Sequence, residues 1–246
     1  MEVTMDIETV PNGDGRALEQ AMAEAEKAKA ACKAPGNYKD PQKIAEYIQA
    51  AKAEIDAGLH DKVAKTSFDG ALGHICVIGM AIDDQDPIAF YENSTEPHKH
   101  EGRVIKTFFD YLEAQYAPSR QTRPHFIGHN IVGFDLRFLF QRAVVLGIRP
   151  PGFIPFHAKP WDDVVYDTMS RWAGFKGENI SLDKLAKALG LPGKQGIDGS
   201  QVWPMVAAGN IEKVADYCAH TDVAQTRDVY KRMTFQTLPV VQTKAA

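Results

Sequence analysis

Three short segments of this 246-residue chain place acids where they could share a cation. In Glu2-Val3-Thr4-Met5-Asp6-Ile7-Glu8-Thr9, apolar Val3, Met5 and Ile7 alternate with Thr4, Asp6 and Glu8. A strand there turns Asp6 and Glu8 to the same side, two residues apart. In Gly128-His129-Asn130-Ile131-Val132-Gly133-Phe134-Asp135, an acid opens a helix just after a short strand. In Tyr217-Cys218-Ala219-His220-Thr221-Asp222, an acid follows a tyrosine on a long C-terminal helix that begins near Asn210. Hard oxygen donors without clustered His or Cys favour Mg²⁺ or Mn²⁺ over zinc. Several carboxylates brought together repel one another unless cations bridge them. Two such ions, roughly 4 Å apart, can activate a water and stabilise the leaving oxygen of a phosphodiester.

Spacing alone is a modest signal, since an Asp-x-Glu pair is usually a solvated strand face and an acid early in a helix often just answers the helix dipole. The surrounding elements strengthen it. After the first strand the texture turns Ala-, Lys- and Glu-rich, so residues 13–66 read as a helical insertion with two helices parted by Ala34-Pro35-Gly36. The second helix has Asp40 as cap, Pro41 in its first turn, an Ile44/Ile48/Ala51/Ile55 stripe and Gly58 at its close. β texture returns at 74–82, a turn through Asp83-Asp84-Gln85-Asp86 follows, and a second strand runs through Ile88, Phe90 and Tyr91. A helix over 103–116, a strand over 125–128, a helix over 134–146 and a strand at 164–166 come next, with helices thereafter. Strands first paired and then alternating with helices predict an α/β fold with a mixed sheet flanked by helices.

Taken together, these segments resemble the DEDD exonuclease superfamily, and in particular the predicted 3′→5′ exonucleases related to the proofreading domain of family B DNA polymerases. Asp6-Ile7-Glu8-Thr9 is similar to the first motif, Asn130 to Asp135 to the second, and the helix with Tyr217 and Asp222 to the third. Asp167-Thr168-Met169 and Ser181-Leu182-Asp183-Lys184-Leu185-Ala186 extend the likeness, which covers residues 1–11 and about 70–233. The resemblance implies a ribonuclease-H-like fold over residues 1–238, with 239–246 as a flexible tail. It also implies two divalent ions, Mg²⁺ or Mn²⁺, held by Asp6, Glu8, Asp135 and Asp222, with Asp6 and Asp222 nearer the attacking water. Thr9 and the following backbone would receive the terminal nucleotide, while Asn130 and Phe134 would position the strand, Phe134 being equally suited to the core. The implied activity is release of nucleoside monophosphates from nucleic-acid 3′ ends, single-stranded DNA favoured, with a polymerase or other replication protein as an expected partner.

One departure stands out. The superfamily places a water-orienting Tyr four residues before the last Asp, or a His five before. Here Tyr217 lies five before Asp222 and His220 two before. On an ideal helix, five residues rotate a side chain by roughly 140°, against roughly 40° for four. Tyr217 therefore needs a bulged turn or a different helix entry to aim it, and His220 is the other candidate.

Composition sets the bounds. A net charge of −4 gives no footprint of a duplex-coating protein, although clustered acids bias the count. Cys32, Cys76 and Cys218 form no C-x-x-C pair, which disfavours disulfide and zinc frameworks. No stretch approaches a membrane span and no leader is visible, so a cytoplasmic protein is expected. Motifs of P-loop motors, zincins and α/β hydrolases are missing. Asp167 reads as a helix cap before a fifth acid, His129 as a packed imidazole or supporting contact, and Trp161, Trp172 and Trp203 as core or domain-edge residues. The insertion is either decoration or a clamp in which Tyr38, Tyr47 or Phe68 stacks on single strands beside lysines; its nine basic and ten acidic residues over 12–70 favour a solvated face. The rival functions are a ribonuclease-H-like endonuclease and a non-catalytic module binding nucleic acid or a polymerase.

Overall fold

In the computed structural model, which describes residues 1–116, 123–174, 177–193 and 196–236, the alternation near the N-terminus becomes a central strand. This is β1 (Glu2–Val10), flanked by antiparallel β2 (His74–Ile82) and parallel β4 (His125–Gly128). The outer strands are β3 (Ile88–Tyr91), antiparallel to β2, and β5 (Val165–Asp167), parallel to β4, giving the order β3-β2-β1-β4-β5. β2 is buried along its whole length, as expected of a strand covered on both faces.

The two faces are covered by different helices. Val3, Met5, Ile7, Ile75, Ile78 and Met80 pack against α4 (Glu101–Gln115) and α5 (Asp135–Leu146), with Phe108 and Phe138 at the centre. On the other face Val10, Cys76 and Val77 pack against α8 (Gly199–Ala207) and α9 (Ile211–Tyr217). A register shift between Glu8 and Thr9 leaves Cys76 unpaired in β2, and its thiol donates to the Glu8 carbonyl at 3.3 Å. That extra residue puts Cys76 and Val77 on the same face despite their adjacency. The mixed sheet with helices on both faces is a ribonuclease-H-like α/β arrangement, as the sequence predicts.

The insertion forms three helices where the sequence suggested two: α1 (Arg16–Ala31), α2 (Pro41–Ala57) and α3 (Leu59–Lys65). Asp40 caps α2 by accepting from Gln42 N at 2.9 Å. The Ile44/Ile48/Ala51/Ile55 stripe is only half-buried, so α2 lies at the periphery. Between α5 and β5 the chain follows an irregular path, and after β5 come α6 (Thr168–Ala173) and α7 (Leu182–Ala188). α10 (Ala224–Met233) ends the described chain's regular structure; the expected tail, 239–246, lies outside the described residues. Among the described residues no helix is long and apolar enough to cross a membrane.

Two of the three tryptophans depart from the expected core or domain-edge placement. Trp161 and Trp172 are exposed, and half-buried Trp203 stacks on His60 at 5.0 Å, bridging α8 to the insertion. None belongs to the core, because the sheet's faces are already filled by aliphatic and phenylalanine side chains.

Candidate active site

The acids gather at one end of β1. Asp6, Glu8 and Cys218 each offer a donor atom within 4.8 Å of the others. Asp135, at the first position of α5, is fully buried, and its Oδ1 accepts from Ile7 N at 3.0 Å. The amide between the two β1 acids thus fixes the third carboxylate beneath them. Burial pushes the Asp135 pKa up, and the charges of Asp167 and Asp222 add to that push, while the Ile7 amide opposes it. Asp6 and Asp222 line the same groove, of about 430 Å³, with His129, Asn130, Met169 and the 179–182 segment. Asp135 and Asp222 border the tight Asp6–Glu8–Cys218 group without belonging to it.

The five-residue offset of Tyr217 is resolved by a change in helix type. α9 does not run into α10 as an α-helix; Cys218–Val223 forms a π-helical segment between them. A π-turn takes up one extra residue, so side chains five apart come to the same face. Tyr217 is accordingly buried and hydrogen-bonded to Asp222. Burial raises its phenol pKa, reinforced by the charges of Asp222 and Glu8, so the hydroxyl keeps its proton. His220 is turned away: it is exposed and pairs with Asp216 at 3.0 Å. Of the two candidates, Tyr217 is the one that lies against Asp222.

Gly79 makes room for the π segment. A Cβ there would stand 2.8 Å from Cys218 Sγ and 3.0 Å from Val223 Cγ2, and Gly79 is the β2 partner of Asp6. The Cys218 thiol points at Asp6, 3.6 Å from its carbonyl oxygen and 3.7 Å from Oδ2. Burial raises the thiol's pKa, and the neighbouring acids Asp6, Glu8 and Asp222 raise it further. It therefore acts as a weak donor to Asp6. The sequence reading set Cys218 aside with the other cysteines for want of a C-x-x-C pair; its place directly after Tyr217 was the available signal.

Asp167 is a cap, and more. Its Oδ1 accepts from Met169 N and Ser170 N at the start of α6, and also from Asn130 N at 3.1 Å, while Oδ2 accepts from Val132 N at 3.3 Å. One carboxylate thereby ties β5 to the loop ahead of Asp135. Asn130 sits at φ +63°, a left-handed conformation that Asn tolerates better than most residues, and its Oδ1 lies where a Cβ on Gly133 would collide at 2.4 Å. His129 is a packed imidazole, bridging Thr168 Oγ1 and the Ile180 carbonyl.

The remaining expected residues divide. Thr9 donates its hydroxyl to the Ser67 carbonyl at 2.7 Å, so it fastens the insertion to β1. Half-buried Phe134 packs inward on Phe138 and outward on Phe68. The donor set fits divalent cations: Asp6 and Glu8 present carboxylate oxygens side by side, Asp222 shares a groove with Asp6, and Asp135 is a buried carboxyl whose pKa is raised first by burial and further by the charges of Asp167 and Asp222.

A family model described as a predicted 3′–5′ exonuclease related to the exonuclease domain of PolB matches residues 68–244. The match spans the elements from β2 onward and leaves β1, with Asp6 and Glu8, and α1–α3 outside it. No curated protein matches the chain.

Proposed function

Because the chain belongs to the family of predicted 3′–5′ exonucleases related to the exonuclease domain of PolB, we propose that it hydrolyses phosphodiester bonds at nucleic-acid 3′ ends. The releasing step would yield nucleoside monophosphates, with single-stranded DNA the favoured substrate and the cytoplasm the working compartment. The observation that supports the proposal is the gathering of acids near one end of β1: Asp6 and Glu8 offer donor atoms within 4.8 Å of each other, Asp6 and Asp222 line one groove, and Asp135 is held by Ile7 N between the two β1 acids.

Asp6, Glu8, Asp135 and Asp222 would hold two Mg²⁺ or Mn²⁺ ions, which when bound supply charge neutralisation and an activated water. The chain's own residues do the positioning. Tyr217 keeps its proton and so presents a hydroxyl donor, steered by Asp222, with which to orient the attacking water. Ile7 N holds one oxygen of Asp135 at 3.0 Å, and the Cys218 thiol lies 3.7 Å from Asp6 Oδ2, so both acids have a contact that helps to position them. Asn130, locked by Asp167, lines the groove where the strand would lie. Fixed donors of this kind need no reorganisation at the moment of reaction, the main source of catalysis in phosphodiester displacement.

The test is a time course on a 5′-labelled single-stranded DNA oligonucleotide in Mg²⁺, Mn²⁺ or EDTA, for the wild type, Asp6→Ala and Asp222→Ala. A ladder shortening from the 3′ end is expected with either metal. EDTA and both variants should abolish it, with the variants' circular dichroism unchanged. A circular single strand should survive; its cleavage would move the reading to an endonuclease. Binding without any cleavage, on DNA, RNA and duplex ends alike, would leave a non-catalytic module.

A further inference from the structure

Phe68, two residues past the insertion, stands next to the candidate site, and its contact with Phe134 leaves most of its ring in solvent. It is 65% exposed, although its ring lies 6.2 Å from that of Phe134, the residue immediately before Asp135. An aromatic in open solvent is ordinarily mobile, yet the short 3₁₀ turn Thr66–Phe68 that carries it is fastened on several sides. Thr9, next to Glu8, donates to the Ser67 carbonyl at 2.7 Å. Asn12 donates its backbone N–H to Thr66 Oγ1 and its side-chain amide to the Leu72 carbonyl, both at 2.9 Å. Arg142, buried on α5, donates to the Gly70 carbonyl at 3.0 Å. Gly73 lies so close to the turn that a Cβ there would stand 2.4 Å from the Thr66 carbonyl oxygen.

Resting on the exonuclease reading above, we propose that Phe68 is a substrate-positioning residue: a rigid aromatic platform, backed by Phe134, on which a base near the 3′ end of the substrate strand stacks. A preorganised ring loses little conformational freedom on binding, and every base offers a π-face, so the platform would be tolerant of sequence. Its attachment through Thr9 and Phe134 links it to the strand and the helix that carry Glu8 and Asp135. Tyr38 and Tyr47 serve a different end, since their rings pack on each other at 5.6 Å. The lysines of the insertion play no part in the platform.

The experiment compares wild type, Phe68→Ala, Phe68→Leu and Phe68→Trp on single-stranded DNA. Degradation rates give kcat and KM in Mg²⁺. Fluorescence of 2-aminopurine placed at the last or next-to-last 3′ position, titrated with each protein in Ca²⁺, reports stacking directly. Phe68→Ala and Phe68→Leu should raise KM about tenfold with kcat changed less than about twofold, and should lose the 2-aminopurine quenching. Phe68→Trp should keep both. Equal KM and equal quenching across the four proteins would overturn the platform, and so would loss of self-association in Phe68→Ala without change in either, which would assign the ring to contact with a second copy. A wild type that degrades no nucleic acid under any condition would instead overturn the exonuclease reading, so the two failures are distinct.

Discussion

Deleting His220 alone removes one residue from the six-residue π-helical segment, and the geometry makes an unusual forecast for it. With one residue fewer, Tyr217 lies four before Asp222, where an ordinary α-helix leaves the two within roughly 40° of one another. Everything before and after the segment keeps its face toward the sheet, because the π-turn already absorbs the residue being removed. The side chain lost is exposed, and its contact is an exposed pair with Asp216, of a kind worth little. Deleting Asp216, the other member of that pair, is very different. It lies within α9, so Ile211 and Val214 swing by about 100° relative to Tyr217 and leave the sheet face they now fill. Exposing two such side chains costs about 3–6 kcal/mol, a large share of the stability of a typical domain. Urea unfolding followed by far-ultraviolet circular dichroism, with the 3′-end degradation assay alongside, separates the two. The His220 deletion should keep its stability within about 1 kcal/mol and most of its activity; the Asp216 deletion should unfold early or fail to fold. Equal damage from both deletions would refute the view that the π segment is a single inserted residue accommodated around a fixed Tyr217–Asp222 pair.

Further outcomes follow from individual contacts. Gly79→Ala drives a methyl into Cys218 and Val223; it should cost about 1–3 kcal/mol in unfolding experiments and cut kcat by displacing Tyr217 and Asp222. Arg142→Met leaves the buried Glu101 carboxylate without its guanidinium partner, whose two nitrogens lie 2.7 and 2.8 Å from it, and should cost about 3–5 kcal/mol. Burial would raise the Glu101 pKa, but hydrogen bonds from His74 and Arg142 outweigh it and hold the carboxyl below its ordinary value. Its stabilisation is therefore present above the unfolded pKa of about 4.3 and is lost as pH falls through the lower folded value. Glu101→Gln should flatten the stability–pH curve in that acid window, and an unchanged slope there would sink the assignment. Asp135→Asn should abolish activity while leaving the metal-free protein as stable or more so, because it removes a buried repulsive charge; thermal unfolding in EDTA measures it.

Much of this was legible in the chain because period and punctuation are local. Alternation gave β1, the Asp40–Pro41 start gave α2, and the strand at 125–128 was read to its boundaries. The three acid motifs placed Asp6, Glu8, Asp135 and Asp222, and the strand-end position of Asp167 foretold its cap. What escaped depended on non-local contact. The five-residue offset of Tyr217 from Asp222 called for a bulged turn or a different helix entry, and only the fold shows that it is a π segment over Cys218–Val223. Glu101, Arg142 and His74 meet from three elements in the interior, and each alone reads as a surface residue. Trp161 and Trp172 were read as core or domain-edge residues and are exposed, since a large aromatic ring can rest at the surface. The contact of Cys218 with the acids was not foreseen because Asp6 and Glu8, its neighbours in space, are at the other end of the chain.

That last separation has a consequence for how the protein is made. Cys218 meets Asp6 across 212 positions of chain, and the stretch that supplies Asp222 is among the last described residues to be synthesised. At about 5–20 residues per second, β1 waits roughly 10–40 s after leaving the ribosome for the helix that completes its acid cluster. A nascent chain, still tethered beside its own messenger, holds Asp6 and Glu8 without Asp222 or Tyr217. Whatever chemistry the four acids perform is thereby postponed until Asp222 has been made and has reached β1.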